Sequence, residues 1–167
     1  MKNVIVLIGA PATGKSTIAG MFASEFGFKI FSFDELFLSE RLSELSLNGE
    51  RSSKGARAQM IKMVEECDCS WIVVDDTNHY HSMQKRYLSL SNAKIVFLYL
   101  RAESIQLRAL KVRNSKRKTR VTDKDIENIV MQLNEQPPID RNLLEFNFES
   151  LPSDICNRVI AAFGKIK

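Results

Sequence analysis

The sequence has few of the residues that mark secreted or membrane proteins. It contains three cysteines, Cys67, Cys69 and Cys156, and no CxxC pair, which favours a reducing cytoplasm over a disulfide framework. No apolar run approaches the roughly 20 residues needed to cross a bilayer. The apolar run at the N-terminus leads through Pro11 into GKST, so we interpret it as a buried strand and not as a signal sequence. We therefore expect a soluble, cytoplasmic protein.

Histidine is also scarce, with two residues, His79 and His81, in the whole sequence. Their HxH spacing has no further cysteine or histidine cluster nearby, so it does not predict a zinc-type metal site. No combination of serine, histidine and aspartate indicates nucleophilic catalysis.

Positive charge is concentrated in one segment. The net charge is +4, yet residues 101–120 contain eight lysines and arginines and one acid, whereas the rest of the chain is net acidic. An anionic ligand is therefore expected at this segment.

Apolar, β-branched runs alternate with helix-like segments along the chain. The runs predict strands at 4–8, 28–33, 71–74, 94–100 and 143–148. Helices are predicted at 15–26, 34–47, 54–66, 79–91, from about 103 into the basic segment, at 122–135 and from Pro152 onward. This alternation predicts an α/β fold with a five-stranded parallel sheet covered on both faces, in three layers. At 167 residues, the chain is expected to form one domain, 1–167.

One motif follows the first strand with every fixed position of the Walker A pattern GxxxxGK[ST]. Its residues are Gly9, Ala10, Pro11, Ala12, Thr13, Gly14, Lys15 and Ser16. Such a loop points successive backbone N–H groups at a phosphate, and the positive end of the following helix dipole adds to the attraction. We predict that Lys15 contacts the β- and γ-phosphates of ATP, that Ser16 binds Mg²⁺ and that Thr17 contacts the α-phosphate.

Three aspartates follow predicted strands. Asp75 and Asp76 end the third strand, where a carboxylate can hold Mg²⁺ beside the phosphates; the alternative is a turn-forming aspartate. Asp34 follows the second strand, where it can orient an acceptor hydroxyl and take its proton; the alternative is a helix cap.

Several of these segments together resemble one kinase family. They are GAPATGKST, Asp34, VVDDTNHYHSMQKRY at 73–87, and RNSKR at 113–117 followed by DIENIVMQLNEQPP. They are similar to L-seryl-tRNA(Sec) kinase and to the Elongator-associated, tRNA-dependent P-loop ATPase. The resemblance implies a P-loop kinase fold with strand order 2-3-1-4-5, the use of ATP and Mg²⁺, and lid arginines that grip phosphate. Carried over by position, it implies functional roles for Lys15, Ser16, Asp34, Asp75, Asp76, Asn78, Arg113 and Arg117.

The basic segment is interpreted as a lid at about 113–120 that closes over ATP, with Arg113 and Arg117 as its leading residues. The alternatives are a solvated basic loop or an anchor for an RNA backbone. His79 and Tyr80 follow the third strand, so they are further candidates, with Asn78, for contact with the acceptor.

The identity of the acceptor stays open at this stage. A kinase acting on a hydroxyl of tRNA, another nucleic acid or a small molecule is the first hypothesis. An ATPase or switch stimulated by tRNA or a protein partner is the second, and a P-loop module that binds nucleic acid is the third. The chain also resembles polynucleotide 5′-hydroxyl kinases, but Phe37 stands where those proteins usually have an arginine.

Overall fold

The five predicted strands form one sheet in the structure. A computed structural model describes residues 1–44, 53–117 and 121–164. The strands are β1 (Lys2–Ile8), β2 (Lys29–Ser32), β3 (Trp71–Asp75), β4 (Ala93–Arg101) and β5 (Leu143–Asn147). All neighbouring strands are parallel and their order is β2-β3-β1-β4-β5, which confirms the predicted topology.

The position of β1 at the centre of the sheet accounts for its continuous run of apolar residues. Val4 pairs with Ile72 on β3 and with Ile95 on β4, and the segment 4–8 is fully buried. Both faces of this strand are covered, so alternation between polar and apolar residues is absent. Because β1 and β3 are parallel neighbours, their carboxyl ends lie side by side. The Walker A motif after β1 and the two aspartates at the end of β3 are therefore adjacent.

Helices cover both faces of the sheet. They are α1 (Lys15–Phe26), α2 (Phe33–Glu44), α3 (Ser53–Glu66), α4 (His81–Leu88), α5 (Leu107–Ser115), α6 (Asp123–Glu135) and α7 (Pro152–Phe163), with a 3-10 turn at Ser104–Gln106. Ile5 and Leu7 of β1 pack in a cluster with Phe22 of α1 and Val159 of α7. Val4, Val6 and Ile8 pack in a second cluster that includes Met60 of α3 and Tyr87 of α4. The two-residue period of β1 thus separates the two helical layers.

Several predicted boundaries differ from the structure, and two of the differences have a local cause. The second strand ends at Ser32 and not at residue 33, because Phe33 already begins α2. The helix predicted over 79–91 covers only His81–Leu88, since Asn78 has a positive φ of 44° and Tyr80 is extended. Residues 45–47 of the predicted second helix lie outside the described residues.

Helix α6 begins with the side chain of Thr122 as its N-cap, at the start predicted for this helix. The Thr122 hydroxyl oxygen accepts a hydrogen bond from the Asp125 N–H at 3.1 Å. This bond satisfies one of the free N–H groups at the start of the helix.

In the described parts of the chain, no helix is long and apolar enough to span a membrane.

Candidate active site

The motif between β1 and α1 forms a tight loop that requires glycine at two positions. Gly9 has a φ of 155°, and a Cβ there would lie 2.9 Å from the Thr13 hydroxyl and 3.0 Å from the Leu100 carbonyl oxygen. Gly14 is the N-cap of α1 in the left-handed conformation, with a φ of 93°. Side chains at these positions would strain the loop or displace β4. The loop therefore places the N-terminus of α1 at the carboxyl edge of the sheet.

Lys15 lies inside this loop and not on the protein surface. Its side-chain Nζ donates hydrogen bonds to the carbonyl oxygens of Gly9 at 2.9 Å and Ala10 at 2.8 Å. Burial lowers the pKa of Lys15 to about 8, while the nearby carboxylates of Asp75 and Asp76 oppose this shift. A partly desolvated ammonium group among backbone dipoles is suited to bind a polyphosphate.

Ser16 and Asp75 bring two oxygen ligands together beside Lys15. The Ser16 hydroxyl and the Asp75 carboxylate at the end of β3 face the same cleft. Burial raises the pKa of Asp75, and Lys15 and Ser16 act in the opposite direction. A hydroxyl and a carboxylate are ligands that suit Mg²⁺, which keeps several waters and phosphate oxygens in its shell. These residues fit the predicted metal site, and no group of three or more His, Cys, Asp or Glu side chains suited to a metal occurs among the described residues.

Asp76 has a different environment from Asp75, a difference that the sequence leaves open. Its Oδ2 accepts a hydrogen bond from Arg57 Nε at 2.6 Å. Its Oδ1 accepts from Arg57 Nη2 at 3.1 Å and from the Thr77 N–H at 2.7 Å. Both oxygens of Asp76 thus accept hydrogen bonds within the protein, which leaves Asp75 as the better candidate for the predicted metal ligand.

The predicted lid arginines face the same cleft as the phosphate loop. The Arg113 guanidinium lies 4.8 Å from the centre of the Phe148 ring, after β5. Arg117 Nη2 lies 3.7 Å from Asp34 Oδ2 across the cleft. Asn114, between them in sequence, is buried and holds the backbone of Val121 through bonds at 2.8 and 3.4 Å. Residues 118–120 of the predicted lid lie outside the described part of the chain.

Other basic residues of the 101–120 segment are paired elsewhere. Arg101 contacts Glu145 at 3.0 Å and Glu103 at 3.5 Å. Lys111 pairs with Glu127 on α6. The Arg101–Glu145 pair joins β4 to β5 and the Lys111–Glu127 pair joins α5 to α6, so the segment is not a uniformly free anion-binding surface.

The cleft has a volume of about 400 Å³, within the range of small-molecule sites. Among the predicted site residues, it is lined by Pro11, Ala12, Gly14, Lys15, Ser16, Thr17, Asp34, Asp75, Asp76, Arg113 and Arg117. Asp34 lies in the first turn of α2 with an exposed carboxylate, so the structure brings it to the phosphate-binding residues. Thr77 and Val121 complete the lining, and neither of them has a role predicted from the sequence.

The three residues after Thr77 are less well placed to contact an acceptor. Asn78 is buried, and its side-chain amide donates to the Leu7 carbonyl oxygen at 2.9 Å, so it supports β1. His79 is half-buried and its Nδ1 lies 3.2 Å from the Thr77 hydroxyl. The exposed Tyr80 ring lies 4.1 Å from the His79 ring. None of the three lines the cleft among the described residues.

Arg57, which likewise has no role predicted from the sequence, contacts the site through Asp76. It lies within the predicted helix 54–66, outside every recognised motif. Its importance depends on the spatial proximity of α3 to the end of β3, which cannot be inferred from local patterns.

The fold and the phosphate loop together define a P-loop kinase fold. A gluconokinase from Sinorhizobium meliloti 1021 superposes on 98% of this chain and 92% of its own, with a TM-score of 0.68 and 16% identity. A shikimate kinase from Aquifex aeolicus vf5 covers 96% of both chains, with a TM-score of 0.63 and 14% identity. A deoxyadenosine kinase from M. mycoides covers 96% of this chain and 99% of its own, with a TM-score of 0.59 and 15% identity. No family model matches the sequence, and no curated protein matches it.

Proposed function

We propose that this chain is a kinase that uses ATP and Mg²⁺ to transfer the γ-phosphate to a hydroxyl group. One observation carries the proposal: Lys15, Asp75, Asp34, Arg113 and Arg117 line a single cleft at the carboxyl edge of the sheet. Binding of a triphosphate alone needs the loop and the metal ligands. The additional carboxylate of Asp34, opposite the lid arginines, fits an enzyme that positions a second substrate.

In this mechanism, the loop amides and Lys15 hold the β- and γ-phosphates. Ser16 and Asp75 would hold Mg²⁺, which neutralises phosphate charge when it is bound. Arg113 and Arg117 stabilise negative charge on the transferred group, and closure of the lid excludes water. Asp34 orients the acceptor hydroxyl for in-line attack and accepts its proton as the new O–P bond forms and the bond to the β-phosphate oxygen breaks.

The proposed acceptor is a small hydroxyl compound. The similar structures are a gluconokinase, a shikimate kinase and a deoxyadenosine kinase, and their names indicate small acceptors. The resemblance to tRNA-dependent enzymes rests on the motifs at 73–87 and 113–117. A tRNA hydroxyl is therefore the second acceptor to be tested.

The test uses ATP labelled on the γ-phosphate. The protein is incubated with separate pools of sugars and sugar acids, nucleosides, 5′-hydroxyl oligonucleotides and tRNA, and the labelled products are separated. We expect label in an acceptor from one pool and none with Lys15→Met. Label that appears only as free phosphate, with stimulation by tRNA, would indicate an ATPase. Absence of Mg·ATP binding would overturn the proposal.

A further inference from the structure

Arg57 of α3 contacts two side chains, those of Asp76 and Phe33. Its Nε and Nη2 donate a two-pronged pair of hydrogen bonds to Asp76, at 2.6 and 3.1 Å. The Arg57 side chain is 16% exposed and that of Asp76 is 2% exposed. The planar guanidinium matches the carboxylate in a way that a lysine ammonium cannot reproduce. This pair fixes the orientation of both side chains.

A third contact connects Arg57 to the acceptor side of the cleft. Its guanidinium carbon lies 4.2 Å from the centre of the Phe33 ring, a cation–π arrangement. Phe33 is the first residue of α2 and directly precedes Asp34. The start of α2, which carries the candidate acceptor carboxylate, thus packs on the same guanidinium that binds the end of β3.

The contacts continue from Asp76 to the phosphate loop. Asp76 Oδ1 accepts a hydrogen bond from the Thr77 N–H at 2.7 Å. The Thr77 carbonyl oxygen then accepts one from the Gly9 N–H at 3.2 Å. Gly9 is the residue at which the phosphate loop begins. A continuous series of contacts therefore runs from Phe33 through Arg57, Asp76 and Thr77 to Gly9.

We propose that Arg57 is a positioning residue that holds the acceptor carboxylate Asp34 and the phosphate loop in a fixed mutual geometry. This inference rests on the proposed kinase function. Phosphoryl transfer depends mainly on alignment of the two substrates, and a displacement of about 1 Å can cost roughly 100-fold in rate. A buried ion pair is in itself weak evidence for stability. The inference therefore relies on the location of the Arg57–Asp76 pair, between the start of α2 and the phosphate loop.

The experiment compares Arg57→Lys and Arg57→Met with Lys62→Met. Lys62 lies on the same helix and makes an exposed pair with Glu66 at 3.7 Å, so it is the matched control. One readout is the ¹H–¹⁵N resonance of Gly9, with and without Mg²⁺ and a non-hydrolysable ATP analogue. The other is the transfer rate per folded molecule, set against the affinity for the analogue.

Both Arg57 variants should shift the Gly9 resonance and lower the transfer rate by about tenfold or more, with less than about a threefold change in nucleotide affinity. Lys62→Met should change none of these. An unchanged Gly9 resonance, or a wild-type rate per folded molecule in Arg57→Lys, would overturn the proposal. If Arg57→Met fails to fold, the Gly9 resonance and the transfer rate of Arg57→Lys alone test the proposal. If the wild-type protein transfers no phosphate, the kinase function fails, while the Gly9 resonance still decides whether Arg57 positions the loop.

Discussion

Arg117 and Asp34 form an ion pair across the cleft, with Nη2 and Oδ2 3.7 Å apart. One partner is a lid arginine proposed to bind the γ-phosphate, and the other is the carboxylate proposed to orient the acceptor. The two side chains are 31% and 55% exposed, so water weakens their attraction. Under the proposed function, phosphate and Asp34 would compete for the same guanidinium, and nucleotide binding would release Asp34 toward the acceptor.

This competition predicts that Asp34→Asn tightens the binding of Mg²⁺ with a non-hydrolysable ATP analogue, by at most about fivefold. Calorimetry on Asp34→Asn, Arg117→Ala and the double variant measures the effect. The gain should disappear in the Arg117→Ala background, because no guanidinium is then released. Glu35→Gln controls for the loss of one negative charge on α2. An equal gain with Glu35→Gln would contradict specific competition.

The same Asp34→Asn substitution should slow phosphate transfer by about 10²–10⁴-fold if the carboxylate takes the proton in the transition state. A smaller loss with a raised acceptor KM would indicate orientation alone, since phosphoryl transfer often has a loose transition state. Measurement of kcat and KM for the acceptor identified by labelling distinguishes proton abstraction from orientation alone. A wild-type rate and wild-type acceptor affinity would refute the assignment of Asp34.

The sequence predicts the sheet and the phosphate loop well for physical reasons. Strand β1 is covered on both faces, so its apolar run is continuous, and the loop needs glycines at fixed φ values. The different environments of Asp75 and Asp76 could not be predicted, because they depend on Arg57 from a helix 19 residues earlier in the chain. The burial of Asn78 was missed for a similar reason, since its amide binds Leu7, 71 residues away.

Lys15→Met should weaken binding of Mg·ATP by about 10- to 100-fold, because charge-assisted hydrogen bonds to phosphate are lost. Methionine fills similar volume and removes a cation whose burial is unfavourable, but it also removes the hydrogen bonds to the Gly9 and Ala10 carbonyls. The free energy of unfolding should therefore fall by no more than about 1–3 kcal/mol. Equilibrium binding and urea unfolding are measured on the same samples. The control is Lys124→Met, at an exposed lysine in the first turn of α6. Undiminished binding by Lys15→Met would refute the assignment of the phosphate loop.

Asp75→Asn and Asp76→Asn should have separable effects. Asp75→Asn should raise the Mg²⁺ concentration for half-maximal activity by about 10- to 100-fold, with little change in stability. Asp76→Asn should instead lower the free energy of unfolding by about 1–3 kcal/mol, because the mostly buried Arg57 loses its charged partner. Mg²⁺ titrations and urea unfolding distinguish these outcomes. A reversal of the two phenotypes would assign the metal to Asp76.

The burial of His79 leads us to expect that the free energy of unfolding depends on pH. Burial, with the positive charge of Arg57 as a second cause, lowers the pKa of His79 from 6.5 to about 4. Between these values, an unfolded chain binds a proton at this position and the folded protein does not. The free energy of unfolding should therefore fall as the pH is lowered from about 6.5 to about 4.

His79→Gln should flatten this slope, since glutamine keeps a hydrogen-bonding side chain but does not titrate. His81→Gln is the matched control, because His81 is the other histidine of the sequence and lies exposed, with its Nε2 2.7 Å from the Pro137 carbonyl oxygen. Urea unfolding at half-unit intervals of pH measures both variants against the wild type. Arg57→Met should also reduce the slope, because loss of the nearby positive charge raises the pKa of His79. A slope in His79→Gln as steep as that of the wild type would show that other groups cause the acid destabilisation.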